Sequence, residues 1–396
     1  MGGRMPSFRL GSRSGLPAAA AALVLLLAPH RDASAQEEDS LASGVDLQFH
    51  GFVSQGFIYT TDNDYLAHSE RGSFELTEVG FNASAELTDR LRVGMQLFAR
   101  DLGPIGDYRA TMDWFNLDYR WKDWLGLRAG RVKIPFGLFN DISDIDAARH
   151  PVLLPQSIYP LQNRDFLLAQ TGVELYGYID LACRGALSYR VYGGTIFPDV
   201  EIPPQVLELT IPYVAGARLM WETPLPGLRI GGSALAGRVE YDVLLDPALP
   251  VLDVDNPQIL WVASTDYMRG DLYLAAEYSR WYGKVESSDP MLFPEGEITS
   301  ERTYAMASYR FAPLIHPGAY YSLLFPDTRD RSGRESVQHD AALTARFDLN
   351  LHWLLKLEAH YMNGTAGVSP ELNGGRPREE LTRNWFVFLA KTSAYF

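Results

Sequence analysis

The 396-residue chain carries 35 Lys and Arg against 49 Asp and Glu, a formal charge of −14, and one cysteine, Cys183. This acidic balance excludes a nucleic-acid partner, whose phosphates demand a basic surface. A lone cysteine excludes an intrachain disulfide, so the fold must hold without a staple.

Residues 1–35 read as a secretory signal peptide. Arg4, Arg9 and Arg13 form a positive start, Leu16–Ala28 is the apolar stretch, and Ala33-Ser34-Ala35 is a small-residue cleavage site. The apolar run is short of the roughly 20 residues that span a bilayer. Removing residues 1–35, which hold four arginines and one aspartate, leaves a formal charge of −17.

From Val45 onward the period is two. In Leu91–Arg100, Leu91, Val93, Met95, Leu97 and Ala99 share one face; Arg92, Gly94, Gln96, Phe98 and Arg100 share the other. The stretches at 78–87, 171–179, 213–222, 270–281 and 339–347 alternate in the same way. Runs of roughly 9–13 residues exceed the usual strand and match one tilted across a bilayer. Short turns are expected near 88–90, 122–124, 180–183, 223–227, 268–271, 312–317 and 348–350. Longer polar connections are expected near 60–73, 101–107, 133–168, 198–209, 242–257, 283–300, 326–337 and 363–381. Short turns at one end and long loops at the other are the layout of a transmembrane antiparallel β-barrel, here of about sixteen strands. In lipid every backbone group must be paired, so such a sheet closes on itself. The expected organisation is a signal peptide over 1–35, a short periplasmic segment over 36–44 and an all-β barrel over 45–396.

The chain ends on "WFVFLAKTSAYF", Trp385–Phe396. This last strand is expected to close against Val45–Tyr59. Its terminal Phe396 resembles the signal read by the outer-membrane barrel-assembly machinery of Gram-negative bacteria. Tyr119, Trp121, Trp124, Trp221, Tyr267, Trp281, Tyr282, Tyr320 and Tyr321 sit near strand ends, where barrels carry aromatic girdles.

The third long connection, 133–168, is the longest and is rich in Ile, Leu, Phe and Pro. A long ordered connection is uncommon unless functional. Within it Ser143–Pro151 reads as a short helix with Ser143 as its cap and Pro151 as its stop. Its apolar content requires a protected place, and the barrel lumen is the expected one.

A sixteen-stranded barrel with a long third loop folded inward resembles the trimeric porins of Gram-negative outer membranes. Leu127–Asp141, "LRAGRVKIPFGLFND", resembles the strand-to-loop segment of the superfamily that includes phosphate-selective and DcaP-like porins. The resemblance implies an outer-membrane homotrimer, set among lipid and lipopolysaccharide, through which small hydrophilic solutes diffuse. The dense ladder of arginine and lysine of a dedicated phosphate channel is not present.

Charge at a constriction sets selectivity. The inward residues expected there are Arg92, Gln96, Arg100 and Arg128 near the third loop, with Arg218 and Arg346 further round. From the loop itself come Lys133, Asp141, Asp144, Asp146, Arg149 and Arg164. Basic walls facing loop acids would set up a transverse field. No cofactor or metal is called for. Neither H-E-x-x-H nor G-x-S-x-G occurs, so no enzyme is expected. Asp242, Asp246, Asp253 and Asp255 are expected in one outer loop as a solvated acidic face. The alternatives are a plugged barrel acting as adhesin or receptor, and an exported β-protein that stays in water.

Overall fold

A computed structural model describes residues 46–198, 205–246 and 250–396. The expected signal peptide and the segment 36–44 lie outside the described residues. Seventeen strand segments follow in order: β1 (Asp46–Thr60), β2 (Thr77–Thr88), β3 (Leu91–Asp101), β4 (Thr111–Lys122), β5 (Leu125–Lys133), β6 (Ala169–Asp180), β7 (Ala186–Thr195), β8 (Val206–Thr210), β9 (Val214–Glu222), β10 (Leu228–Val243), β11 (Leu252–Arg269), β12 (Leu272–Ser287), β13 (Gly296–Tyr309), β14 (Ile315–Phe325), β15 (Gln338–Asn350), β16 (Trp353–Gly364) and β17 (Asn384–Tyr395). Segments β8 and β9 both pair with β10, at Val243–Glu240 and Gly237–Arg229, so they are two lengths of one stave. Pro212, which has no N–H to give a ladder, lies in the break between them. The result is a closed antiparallel barrel of sixteen staves.

Closure is made by the first and last strands. Phe52 to Thr60 of β1 pair with Tyr395 to Val387 of β17. Beyond the last strand residue, the Phe396 N–H donates to Gly51 O at 3.0 Å and the Gly51 N–H donates back to Phe396 O at 3.3 Å. The Phe396 ring lies where a Cβ on residue 51 would be, within 2.7 Å, so glycine there lets the terminal aromatic lie flat on the seam.

The two faces of the sheet have opposite chemistry. On β16, Lys356, Glu358 and His360 are buried, while Leu357 and Tyr361 are exposed. On β17, Lys391 and Ser393 are buried, while Phe386 and Phe388 are exposed. A water-soluble sheet would turn these over. Polar inside and apolar outside is the pattern of a barrel whose outer face meets lipid.

Seven connections of two to five residues lie at one end, and eight of eight or more at the other. The strands β10 to β13 run longer than the sequence suggested, because the polar residues near 242–257 and 283–300 continue the ladders. Asp242 pairs with Asp253, and Glu240 with Asp255, between β10 and β11. Asp242, Asp253 and Asp255 are therefore strand residues and not members of an outer loop; Asp246 is in the connection. Two aromatic assignments also change. Trp281 faces inward, edge-on to Phe136, and Tyr320 is buried with its hydroxyl on Leu153 O and Asp340. Tyr119, Trp121, Trp124, Trp221, Tyr282 and Tyr321 are exposed as a girdle requires.

Candidate functional site

The connection from Ile134 to Leu168 bonds to residues of β3, β4, β7, β9, β10, β12, β14, β16 and β17. The expected helix is broken up, and further helical turns lie at Leu161–Asn163 and Arg164–Leu167, where the sequence suggested none. Two single 3-10 turns, Asn140–Ile142 and Asp146–Ala148, replace the expected helix over 143–150, and Ser143 ends the first turn rather than capping a helix. The side chains of this stretch bond outward to the wall, and those long-range partners outcompete a continuous helix.

Half of the attachment is apolar. Ile134, Phe136, Phe139, Leu154, Ile158 and Tyr159 are buried in one cluster with Tyr192, Leu235, Leu260 and Tyr304 of the wall. Val152 and Leu153 join a second cluster with Ile58, Met362 and Trp385. Gly137, at φ +60°, turns the chain so that the Leu138 N–H donates to Glu277 at 2.9 Å. Glu277 also accepts from Ser264 at 2.5 Å, Tyr304 at 2.8 Å and the Tyr159 hydroxyl. Across the barrel, Glu358 accepts the N–H groups of Val152 and Leu153 at 2.8 and 3.0 Å.

The other half is ionic, and it is organised by three aspartates. Strand register sets Arg190 of β7 directly opposite Arg218 of β9. It likewise sets Lys356 of β16 opposite Lys391 of β17. Like charges facing one another across a sheet repel. Each pair is bridged by one carboxylate from the connection. Asp141 reaches Arg190 at 2.7 Å and Arg218 at 2.6 Å. Asp146 reaches Lys356 at 3.1 Å and Lys391 at 3.3 Å, with Arg149 at 3.4 Å and the Ser393 hydroxyl at 2.7 Å. Asp144, the third, takes Lys133 at 2.5 Å and the Gln96 amide. Burial by itself would raise all three acids. The facing cations outweigh it: Arg190 and Arg218 for Asp141, Lys133 and Arg164 for Asp144, Lys356 and Lys391 for Asp146. All three are held below the usual aspartate value.

The remaining expected residues fall into three groups. Arg100, Arg149 and Arg164 join the ionic attachment. Arg100 pairs with Asp165 at 2.9 Å, Arg149 lies 3.5 Å from Glu78, and Arg164 grips Asp113 with both terminal nitrogens while lying over the Phe98 ring. Arg346 donates to the Ala147 carbonyl at 2.7 Å and pairs with Asp348. Arg92 and Arg128 do not touch the connection. Arg92 donates to Ser84, and Arg128 bridges Asp118 at 2.8 Å and Glu174 at 2.9 Å. The acids of the connection thus meet the wall's cations in direct contact, not across a gap.

Sequence reasoning missed Lys356, Glu358, His360, Lys391, Arg190, Glu174 and Glu277, all on strands. His360 stands between Asp340 at 2.8 Å and Glu358 at 2.9 Å. Lys356, Glu358 and His360, at three successive alternate positions of "WLLKLEAHYM", were the available signal on β16. It marks the enclosed face as surely as the leucines mark the outer one.

Open space remains beside the attached connection. One cavity of about 910 Å³ is bordered by Arg100, Arg164, Asp165 and Thr111. Another, of about 400 Å³, lies against β11 to β15 and contains Arg302 and Trp281.

No protein-family model matches the sequence, and no curated protein does. Solved structures do resemble the fold. The outer-membrane protein OmpT of Vibrio cholerae superposes with a TM-score of 0.59 at 11% identity, over 91% of this chain and 99% of its own. An anion-selective porin from Comamonas acidovorans gives 0.56 at 12%, over 89% and 100%. The outer-membrane channel DcaP of Acinetobacter baumannii gives 0.52 at 13%, over 89% and 98%. At such identities the likeness concerns the fold alone, and the chain has the sixteen-stranded fold of the outer-membrane porins.

Proposed function

We propose that this chain is an outer-membrane porin, exported through its N-terminal segment, inserted by the barrel-assembly machinery and assembled as a homotrimer among lipid and lipopolysaccharide. Its role is passive diffusion of small hydrophilic solutes and ions, with no chemical step. The observation that carries this reading is the inverted sheet. Lys356, Glu358 and His360 line the enclosed face of a strand whose outer face shows Leu357 and Tyr361, so water suits the interior and lipid the exterior. In this reading the connection over 133–168 folds into the lumen and narrows it, and the cavities beside it are lengths of the path.

Selectivity then depends on the charges left in contact with water. Arg128 balances Asp118 and Glu174. Purified protein in a planar bilayer should give discrete conductance steps, often in threes. Arg128→Ala, which leaves Asp118 without its cation and Glu174 with Arg190 alone at 2.7 Å, should shift the reversal potential across a salt gradient toward cations. A bilayer that stays sealed would overturn the porin reading.

A plugged barrel is the second reading, favoured by the apolar packing of Phe136, Phe139, Leu154 and Ile158 against the wall. Such a barrel would be silent as isolated and would conduct only after residues within 138–160 were removed.

A further inference from the structure

Arg302 stands apart from the arginines of the attachment. Arg100, Arg128, Arg164, Arg190 and Arg218 each contact a carboxylate. Among the described residues Arg302 has none. Its Nε donates to Ser300 Oγ at 2.9 Å, and one terminal nitrogen donates to Ser157 O at 3.0 Å. Its guanidinium lies 3.3 Å over the Trp281 ring, which is itself fixed by an indole N–H bond to Ser279 at 2.9 Å. The second terminal nitrogen has no hydrogen-bond partner among the described residues, and Arg302 lines the 400 Å³ cavity. A cation held over an aromatic ring by neutral groups alone is pre-set for an anion from solution.

The rest of the cavity suits the remainder of such a solute. Gln162, Asn256, Gln258 and Gln338 offer side-chain amides, which both donate and accept. The one carboxylate there, Asp340, is already engaged by His360 at 2.8 Å and by the Tyr320 hydroxyl at 3.3 Å, which leaves it a weak deterrent to an anion. Arg378, also at the cavity, uses its Nε on the Val368 carbonyl and forms no ion pair with the described residues.

We propose that this cavity is a binding site for small hydroxylated carboxylates, with Arg302 as the carboxylate anchor and the amides as hydroxyl partners. The proposal deepens the porin reading and rests on it for transport, though not for binding. Isothermal titration of the folded full-length mature barrel in detergent separates the two. D-gluconate, D-glucose and inorganic phosphate are the probes. Gluconate should bind at least tenfold more tightly than either of the others, and Arg302→Gln should lose that binding while remaining heat-modifiable in gels. Should the Arg302 variant not fold, Gln258→Ala is the second test, and it should weaken gluconate severalfold. Glucose equal to gluconate, phosphate equal to gluconate, or unchanged affinity in a folded Arg302 or Gln258 variant would each overturn the site. Loss of conductance with gluconate binding intact would overturn the porin reading and leave the site standing.

Discussion

Asp146 is 1% exposed, and the two lysines it bridges are no more open than that. An uncompensated buried charge is far costlier than the same pair intact. Asp146→Asn should therefore destabilise the folded barrel by about 3–5 kcal/mol, read as a lower urea midpoint for unfolding in detergent. Lys356→Met added to it should recover part of the loss, since Lys356 has no other carboxylate among the described residues, whereas Lys391 keeps Glu78 at 2.5 Å. The acids of the connection also set a pH response. Asp141, Asp144 and Asp146 are held below the ordinary aspartate value, so their contribution is in full force above about pH 4 and is lost as pH falls through the lower folded values. Limited proteolysis of the connection should be unchanged from pH 7 to pH 5 and should accelerate only in stronger acid. Loosening already between pH 6 and pH 5 would mean that these pairs do not hold it. His150 will not confuse the reading. Burial, with Lys356 and Arg346 nearby, pushes it down to about 4, so it is neutral through that interval.

At the scale of the element, the connection is a strap fixed at several points by different forces. Asp141 and Asp146 each key into a pair of like charges, Glu277 and Glu358 receive its N–H groups, and Ile134 to Tyr159 supply apolar packing. Gly137 is the hinge that lets one end reach Glu277. Its φ of +60° suits glycine, and a Cβ there would meet the Tyr159 hydroxyl and come within 2.8 Å of Glu277. Gly137→Val adds a left-handed-region cost of about 1–2 kcal/mol to that clash. The expected result is a connection cut faster by protease while the barrel remains heat-modifiable. Equal cutting of variant and parent would show that the Glu277 seat does not hold the strap.

For the whole molecule the decisive feature is the seam. The ladder between β1 and β17 leaves no open edge, and its last rung is the reciprocal bonding of Phe396 with Gly51. Removing Phe396 unpairs both backbone groups of Gly51, in a setting where unpaired groups cost several kcal/mol each. The same truncation removes the terminal aromatic expected to be read at insertion. Deletion of Phe396 should reduce the heat-modifiable band in the outer-membrane fraction severalfold. Wild-type amounts would show that neither role matters.

The sequence by itself determined the alternation of most strands, the asymmetry of their connections and the closing role of Phe396, because a period of two and a turn signal are local properties; the full lengths of β10 to β13 and the inward turn of Trp281 and Tyr320 were not among them. It also singled out Asp141, Asp144 and Asp146 and the long connection that bears them. Only the tertiary structure decided what those acids meet. A period-two pattern assigns a residue to a face but not to a neighbour, and neighbours follow from register accumulated across the ladders. That register sets Lys356 against Lys391 and Arg190 against Arg218, and so creates two repulsive pairs, each bridged by one carboxylate of the connection, with Glu78 and Glu174 of the wall beside them. It likewise leaves Arg302 on Trp281 without an acid, a vacancy visible only when every surrounding stave is in place.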